Sequence, residues 1–198
     1  MDVDIIVYDA LDEMDAWGPA EVLRSAAAMG ADVSVRLLTC EPVAMVTGAY
    51  GLRFVPDAVL AEDSEVLIVP GGGWVDRAET GAWAEVRRGD LVERIAAVAA
   101  TARVVAGVCT GTMLLAHAGV IAGRRAATHH SARRELADLG ATVVDDRVVD
   151  DGDLITSGGV TSGIDLALWL LEREVSTHMA DQVAARMEYR RTRPAMTS

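Results

Sequence analysis

Apolar positions along the chain follow two rhythms. Short, mostly apolar and β-branched runs at residues 3–8, 65–69 and 103–108 predict strands buried on both faces, because a strand covered on one face alone would alternate. Between them, apolar residues recur three and four apart. Residues 19–29 put Val22, Leu23 and Ala26 on one helical face and stop at Gly30. The same pattern predicts helices over 91–100, with a start reaching back toward Ala82, and over 110–118, 131–139, 164–173 and 177–189. Gly119 and Gly140 close the second and third of these. Shorter strands are predicted at 32–38, 142–144, 147–149 and 153–156, and a small hairpin at 44–46 and 52–55 around Gly48-Ala49-Tyr50-Gly51. Alternating strands and helices predict an α/β fold with a mainly parallel sheet covered on both faces. Sites in such folds lie outside the carboxyl ends of the strands. No linker or repeat interrupts residues 1–190, which are expected to form one domain, and the basic, proline-containing stretch 191–198 is expected to fray.

Composition narrows the function classes. The 198 residues are 51% hydrophobic with a single Phe and three Tyr, so the core must be aliphatic. A net charge of -12 disfavours nucleic acid and anionic membrane surfaces, whose phosphates need basic patches. No run of 18 or more uncharged apolar residues is present, so no membrane span is expected. The acidic start lacks a signal-peptide pattern, and two cysteines are too few for a disulfide framework. The expectation is a cytoplasmic protein with reduced thiols.

Chemistry concentrates at the predicted strand ends. In Gly107-Val108-Cys109-Thr110-Gly111 a buried strand runs directly into a helix, and glycines relieve the crowding of so sharp a turn. Cys109 at a helix N-terminus would be favoured as thiolate, which makes it the candidate nucleophile. Pro70-Gly71-Gly72-Gly73 follows another buried strand, where backbone N–H groups can approach a ligand and stabilise an anion. Asp15 follows the first strand and can act as acid or base toward the cysteine, or simply cap a helix. His129 and His130 are a possible base or loop histidines, and adjacent histidines without other ligands argue against a metal. Cys40 has no glycine frame and reads as structural, and Trp169, Leu170 and Val183 read as core.

With these segments together, the chain resembles the ThiJ/PfpI family of the class I glutamine-amidotransferase-like superfamily, and within it the isocyanide (isonitrile) hydratases. The resemblance is carried by Met14-Asp15-Ala16-Trp17-Gly18-Pro19, Val69-Pro70-Gly71-Gly72, Val108-Cys109-Thr110-Gly111, Ala127-Thr128-His129 and Ser157-Gly158-Gly159-Val160-Thr161-Ser162-Gly163. It implies a flavodoxin-like three-layer sandwich and a homodimer acting on a small electrophile. Cys109 would match the nucleophile, Asp15 its acidic partner, Thr110 a residue tuning the thiolate, Gly72 and Gly73 the oxyanion-binding backbone, and His129 a histidine near the cysteine. Trp17 stands where relatives commonly have Thr, and would narrow the substrate pocket. His130 stands where Trp is frequent. The implied reaction converts an isocyanide to an N-formamide through a thioimidate, with no cofactor, because the thiolate supplies the nucleophile. The alternatives are a glyoxalase acting on reactive dicarbonyls and a non-catalytic redox-sensing or ligand-binding module.

Overall fold

In the computed structural model, which describes residues 1–61 and 63–194, the β-branched runs lie at the centre of a seven-stranded sheet. β1 (Asp2–Ile6), β6 (Val66–Val69) and β7 (Val104–Val108) are adjacent, and every residue of β6 and β7 is buried. β2 (Ser34–Thr39) and β5 (Ala58–Val59) extend the sheet on one side, and β11 (Leu154–Ser157) and β10 (Val148–Asp150) on the other, in the order β10-β11-β7-β6-β1-β2-β5. Only the β10–β11 pair is antiparallel. Two helical layers cover the sheet. α1 (Glu13–Ala28), α6 (Ser162–Glu174) and α7 (Thr177–Arg186) pack together, as do α2 (Ala82–Arg88), α3 (Asp90–Ala99) and α4 (Gly111–His117). This is the predicted three-layer, flavodoxin-like α/β arrangement.

The differences from the sequence reading are local. α1 begins six residues before Pro19, with Asp12 as its cap accepting the Met14 N–H at 3.1 Å. Proline at a helix start is the common case; here Pro19 lies inside, beside Gly18, whose missing Cβ lets Ile164 of α6 come close. The 82–100 segment is two helices, because Gly89 sits at φ 91 between α2 and α3. The hairpin forms as β3 (Val46–Thr47) and β4 (Arg53–Phe54). Residues 142–144 do not join the main sheet: β9 (Thr142–Val143) pairs with β8 (Arg125–Ala126), a two-residue strand too short to show periodicity. The helix predicted over 131–139 is a 3-10 turn, His130–Ala132, followed by α5 (Arg133–Asp138).

Leu170 and Val183 are fully buried, and Trp169 is half-buried with its indole N–H on Asp150 Oδ2 at 2.7 Å. The start of the basic C-terminal stretch is docked where fraying was expected. Arg191 pairs with Glu172 and Asp181, and the Thr192 N–H donates to Asp165 at 2.6 Å, because α6 and α7 present acids to it. Residues 195–198 lie outside the described residues. Among the described residues, no helix is long and apolar enough to cross a membrane.

Candidate active site

β7 delivers Cys109 at φ 57, a left-handed conformation that costs a non-glycine residue about 1–2 kcal/mol. The neighbouring glycines make the turn sterically feasible. A Cβ at Gly111 would collide with the Val69 carbonyl, and one at Gly107 would press on Thr112 and Leu115. The turn is held by its backbone: the Cys109 N–H donates to the Gly158 carbonyl at 3.0 Å, and the Cys109 carbonyl accepts the Thr128 hydroxyl at 2.8 Å. The residue is 6% exposed.

The early start of α1 puts Asp15 in the helix's first turn, fully buried, instead of in a loop. Its Oδ2 accepts the Gly71 N–H at 3.0 Å. Thr110 Oγ1 accepts the next amide, Gly72 N–H, also at 3.0 Å. The glycine loop is thus wedged between α1 and the cysteine turn. A Cβ at Gly71 would strike Thr110 and Gly111, and one at Gly72 would strike the Leu11–Asp12 backbone. The Gly72 N–H is therefore engaged by Thr110. The Gly73 N–H has no protein acceptor among the described residues.

Electrostatics runs against a simple thiolate. Burial raises the Cys109 thiol and the Asp15 charge raises it further, while the Val160 and Thr110 amides act the other way. The dipole contribution expected from the following helix is small, because α4 starts at Gly111 and has seven residues. Burial likewise lifts Asp15 well above the usual carboxylate range, with Asp12 adding to it. The Gly71 N–H, the Cys109 thiol and the Val160 N–H oppose that rise. Its Oδ1 is buried and makes no hydrogen bond of standard geometry. The Asp15 charge thus disfavours the thiolate, while the thiol, as a donor, favours the carboxylate, and the two groups titrate as a coupled pair. Tyr8, buried beside them, is also pushed up, first by burial and then by Asp15, and its hydroxyl donates to the Pro70 carbonyl at 2.7 Å.

The other predicted residues are placed unevenly. His129 Nδ1 lies 2.6 Å from Ser131 Oγ, its ring packs on Gly159, and burial, His130 and Arg133 push its pKa down. His130 stacks against it at 4.2 Å. Both line a cleft of about 370 Å³ with Thr128, Gly158, Gly159 and Val160. Trp17 meets Phe54 edge-on at 4.4 Å. Two residues beyond Asp15, it points roughly 200° away around the helix, toward Phe54 of the hairpin. Cys40 is half-buried, its thiol raised by burial, in a separate cavity of about 310 Å³ that shares Tyr8. No group of three metal-ligating side chains occurs among the described residues.

Val160 is the residue the sequence reading missed. It stands at φ 47, which is a genuine outlier for a β-branched side chain. Its N–H favours the ionised forms of both Asp15 and Cys109. It also lines both the histidine cleft and a second cleft of about 490 Å³ bordered by Asp12, Glu13, Met14, Tyr50 and Leu52. The Gly158-Gly159 pair before it was the visible signal of a tight turn. That the turn would carry an amide to Cys109 was not visible.

The chain is similar to known proteins in sequence and fold. The chain is 35% identical over 191 residues to the isonitrile hydratase of Pseudomonas putida, spanning 96% of this chain and 78% of that protein. It is 30% identical over 138 residues to a glutathione-independent glyoxalase of Caenorhabditis elegans, spanning 67% of each. A crystal structure of a ThiJ/PfpI family protein from Pseudomonas syringae superposes with a TM-score of 0.85 at 28% identity, over 98% of this chain and 77% of that one. The sequence pattern of the DJ-1/PfpI family matches residues 1–173, from the first strand through most of α6 and including every residue of the cysteine turn, and the chain belongs to that family.

Proposed function

We propose that the protein hydrates an isocyanide to an N-formamide at Cys109. The observation that carries this reading is that two buried acids, the Cys109 thiol and the Asp15 carboxyl, act on each other's ionisation, so that a proton can pass between them. An isocyanide carbon must receive both a nucleophile and a proton, and this pair offers both. The Cys109 sulfur forms a bond to the terminal carbon as Asp15 delivers the shared proton to that carbon, giving a thioimidate. Water then adds across the C=N bond, its oxygen to the same carbon and one proton to the nitrogen; the C–S bond breaks, and the other water proton returns to the pair as the formamide leaves. In this reading the Gly73 N–H, which donates to no protein acceptor among the described residues, stabilises the oxygen of the tetrahedral intermediate. Similarity to an isonitrile hydratase supports this assignment. Purified protein with p-nitrophenyl isocyanide should yield the formamide, and equal rates for wild type and Cys109→Ala would sink the reading.

Similarity to a glyoxalase favours a second reading, addition of the same thiolate to a dicarbonyl. Conversion of methylglyoxal to lactate, without isocyanide turnover, would select it.

The working unit is a homodimer. Met14, Tyr50, Leu52 and Val55 are exposed apolar residues on α1 and the hairpin region, at the rim of the larger cleft. A second copy would cover a patch of this kind.

A further inference from the structure

The strained Val160 lies in the loop 158–161, between β11 and α6, and Arg147, immediately before β10, braces both of its flanks. On one side, the Arg147 carbonyl accepts the Gly158 N–H at 3.0 Å, and the Gly158 carbonyl accepts the Cys109 N–H at 3.0 Å. On the other, Arg147 Nη2 donates to Thr161 Oγ1 at 2.9 Å. The guanidinium is itself fixed. It pairs with the fully buried Asp165 and donates to the Tyr189 hydroxyl at 2.9 Å. The Tyr189 hydroxyl donates to Asp165 at 2.7 Å, and the Thr192 N–H donates to the other Asp165 oxygen at 2.6 Å. A strained residue persists only where its surroundings over-determine it, and this network supplies that constraint.

We propose that Arg147, locked by Asp165, Tyr189 and Thr192, is a positioning residue for the Cys109 site, holding the 158–161 loop so that the Val160 N–H faces the Cys109–Asp15 pair. The segment 189–192 thereby acts at a distance on the cysteine. The proposal rests on Cys109 and Asp15 being the reactive pair, and not on the identity of the substrate. The charged or titrating groups around Cys109 are Asp15 and Asp12 at the start of α1 and Tyr8 after β1, with His129 acting on Asp12 from across the cleft. None belongs to the Arg147 network, so changes in that network reach the thiol through the loop.

The test is the rate of Cys109 alkylation by iodoacetamide across pH, followed by peptide mass on the full chain. Losing the Val160 amide removes a group that favours the thiolate. Arg147→Met should therefore displace the pH profile upward by about one unit, which is about tenfold slower alkylation at a fixed pH below the midpoint. Thr161→Val, which removes one hydrogen bond of the network, and Tyr189→Phe, which removes two, both leave the Arg147–Asp165 pair intact and should shift it the same way by less. Arg173→Met, which releases Asp150 and the Gly152 carbonyl on the β10–β11 hairpin, should leave it unchanged. If the three network variants lose thermal stability yet keep the wild-type profile, the network is merely structural and the proposal fails. A shifted profile in a protein that hydrates no isocyanide would uphold the positioning role and reject only the reaction.

Discussion

Asp15 and Cys109 both resist ionisation because they are buried; the Asp15 charge adds to this at Cys109, and the Asp12 charge adds to it at Asp15. That coupling sets the sign of a single substitution. Asp15→Asn keeps an oxygen for the Gly71 N–H but removes the charge that raises the thiol. Alkylation of Cys109 at fixed pH should therefore speed up, while turnover falls for want of the proton donor. Faster alkylation with undiminished turnover would remove Asp15 from the mechanism. The same residue shapes stability. Its folded pKa is raised above the unfolded value of about 3.9, so the stability it contributes is full below that value and declines as pH rises through the folded pKa. The melting temperature of Asp15→Asn should exceed that of wild type by a margin that widens as pH rises above about 4 toward the raised folded pKa. The chemical type of Cys109, Asp15 and Thr110 could be read from sequence because glycine-framed turns are written in residue identities. Val160 could not, since nothing in a valine announces a positive φ.

At the scale of elements, the site depends on three backbones approaching more closely than side chains allow. Gly111 lies against the Val69 carbonyl and Gly71 against Thr110, so strand ends and helix starts interlock. Gly111→Ala should cost about 3 kcal/mol, as overpacking without room to relax does, measured by urea unfolding. A cost near that of Gly89→Ala, about 1–2 kcal/mol for a left-handed φ in open space, would show that the interlock can yield. The boundary of α1 shows why elements were less legible than residues. Pro19 reads as a helix start, but Asp12 caps the helix nearly two turns earlier, and packing of Gly18 on Ile164 tolerates the proline within. That shift converts Asp15 from a loop acid into a buried one.

Across the whole molecule, the exposed patch of Met14, Tyr50, Leu52 and Val55 borders the cleft that Val160 shares. If a second copy covers it, Tyr50→Glu with Leu52→Asp should give a monomer in sedimentation while the melting of each subunit stays cooperative. A wild type that sediments as a monomer at all concentrations would remove the dimer. The doubly covered sheet was legible in outline, because short, mostly apolar and β-branched runs alternating with helical periodicity leave few other architectures. The two-residue strands β5 and β8 were not, since their pairing is set by neighbours rather than by any local pattern. By itself, the sequence determined the layering, the cysteine turn and the acid that follows the first strand. These follow from periodicity and from glycine's lack of a side chain, both properties of adjacent residues. Tertiary structure alone decided that Asp15 and Cys109 share one buried pocket, that Thr110 engages the Gly72 amide, and that Arg147 braces the Val160 loop. Each of these is a contact between segments far apart in the chain, fixed by packing rather than by local preference.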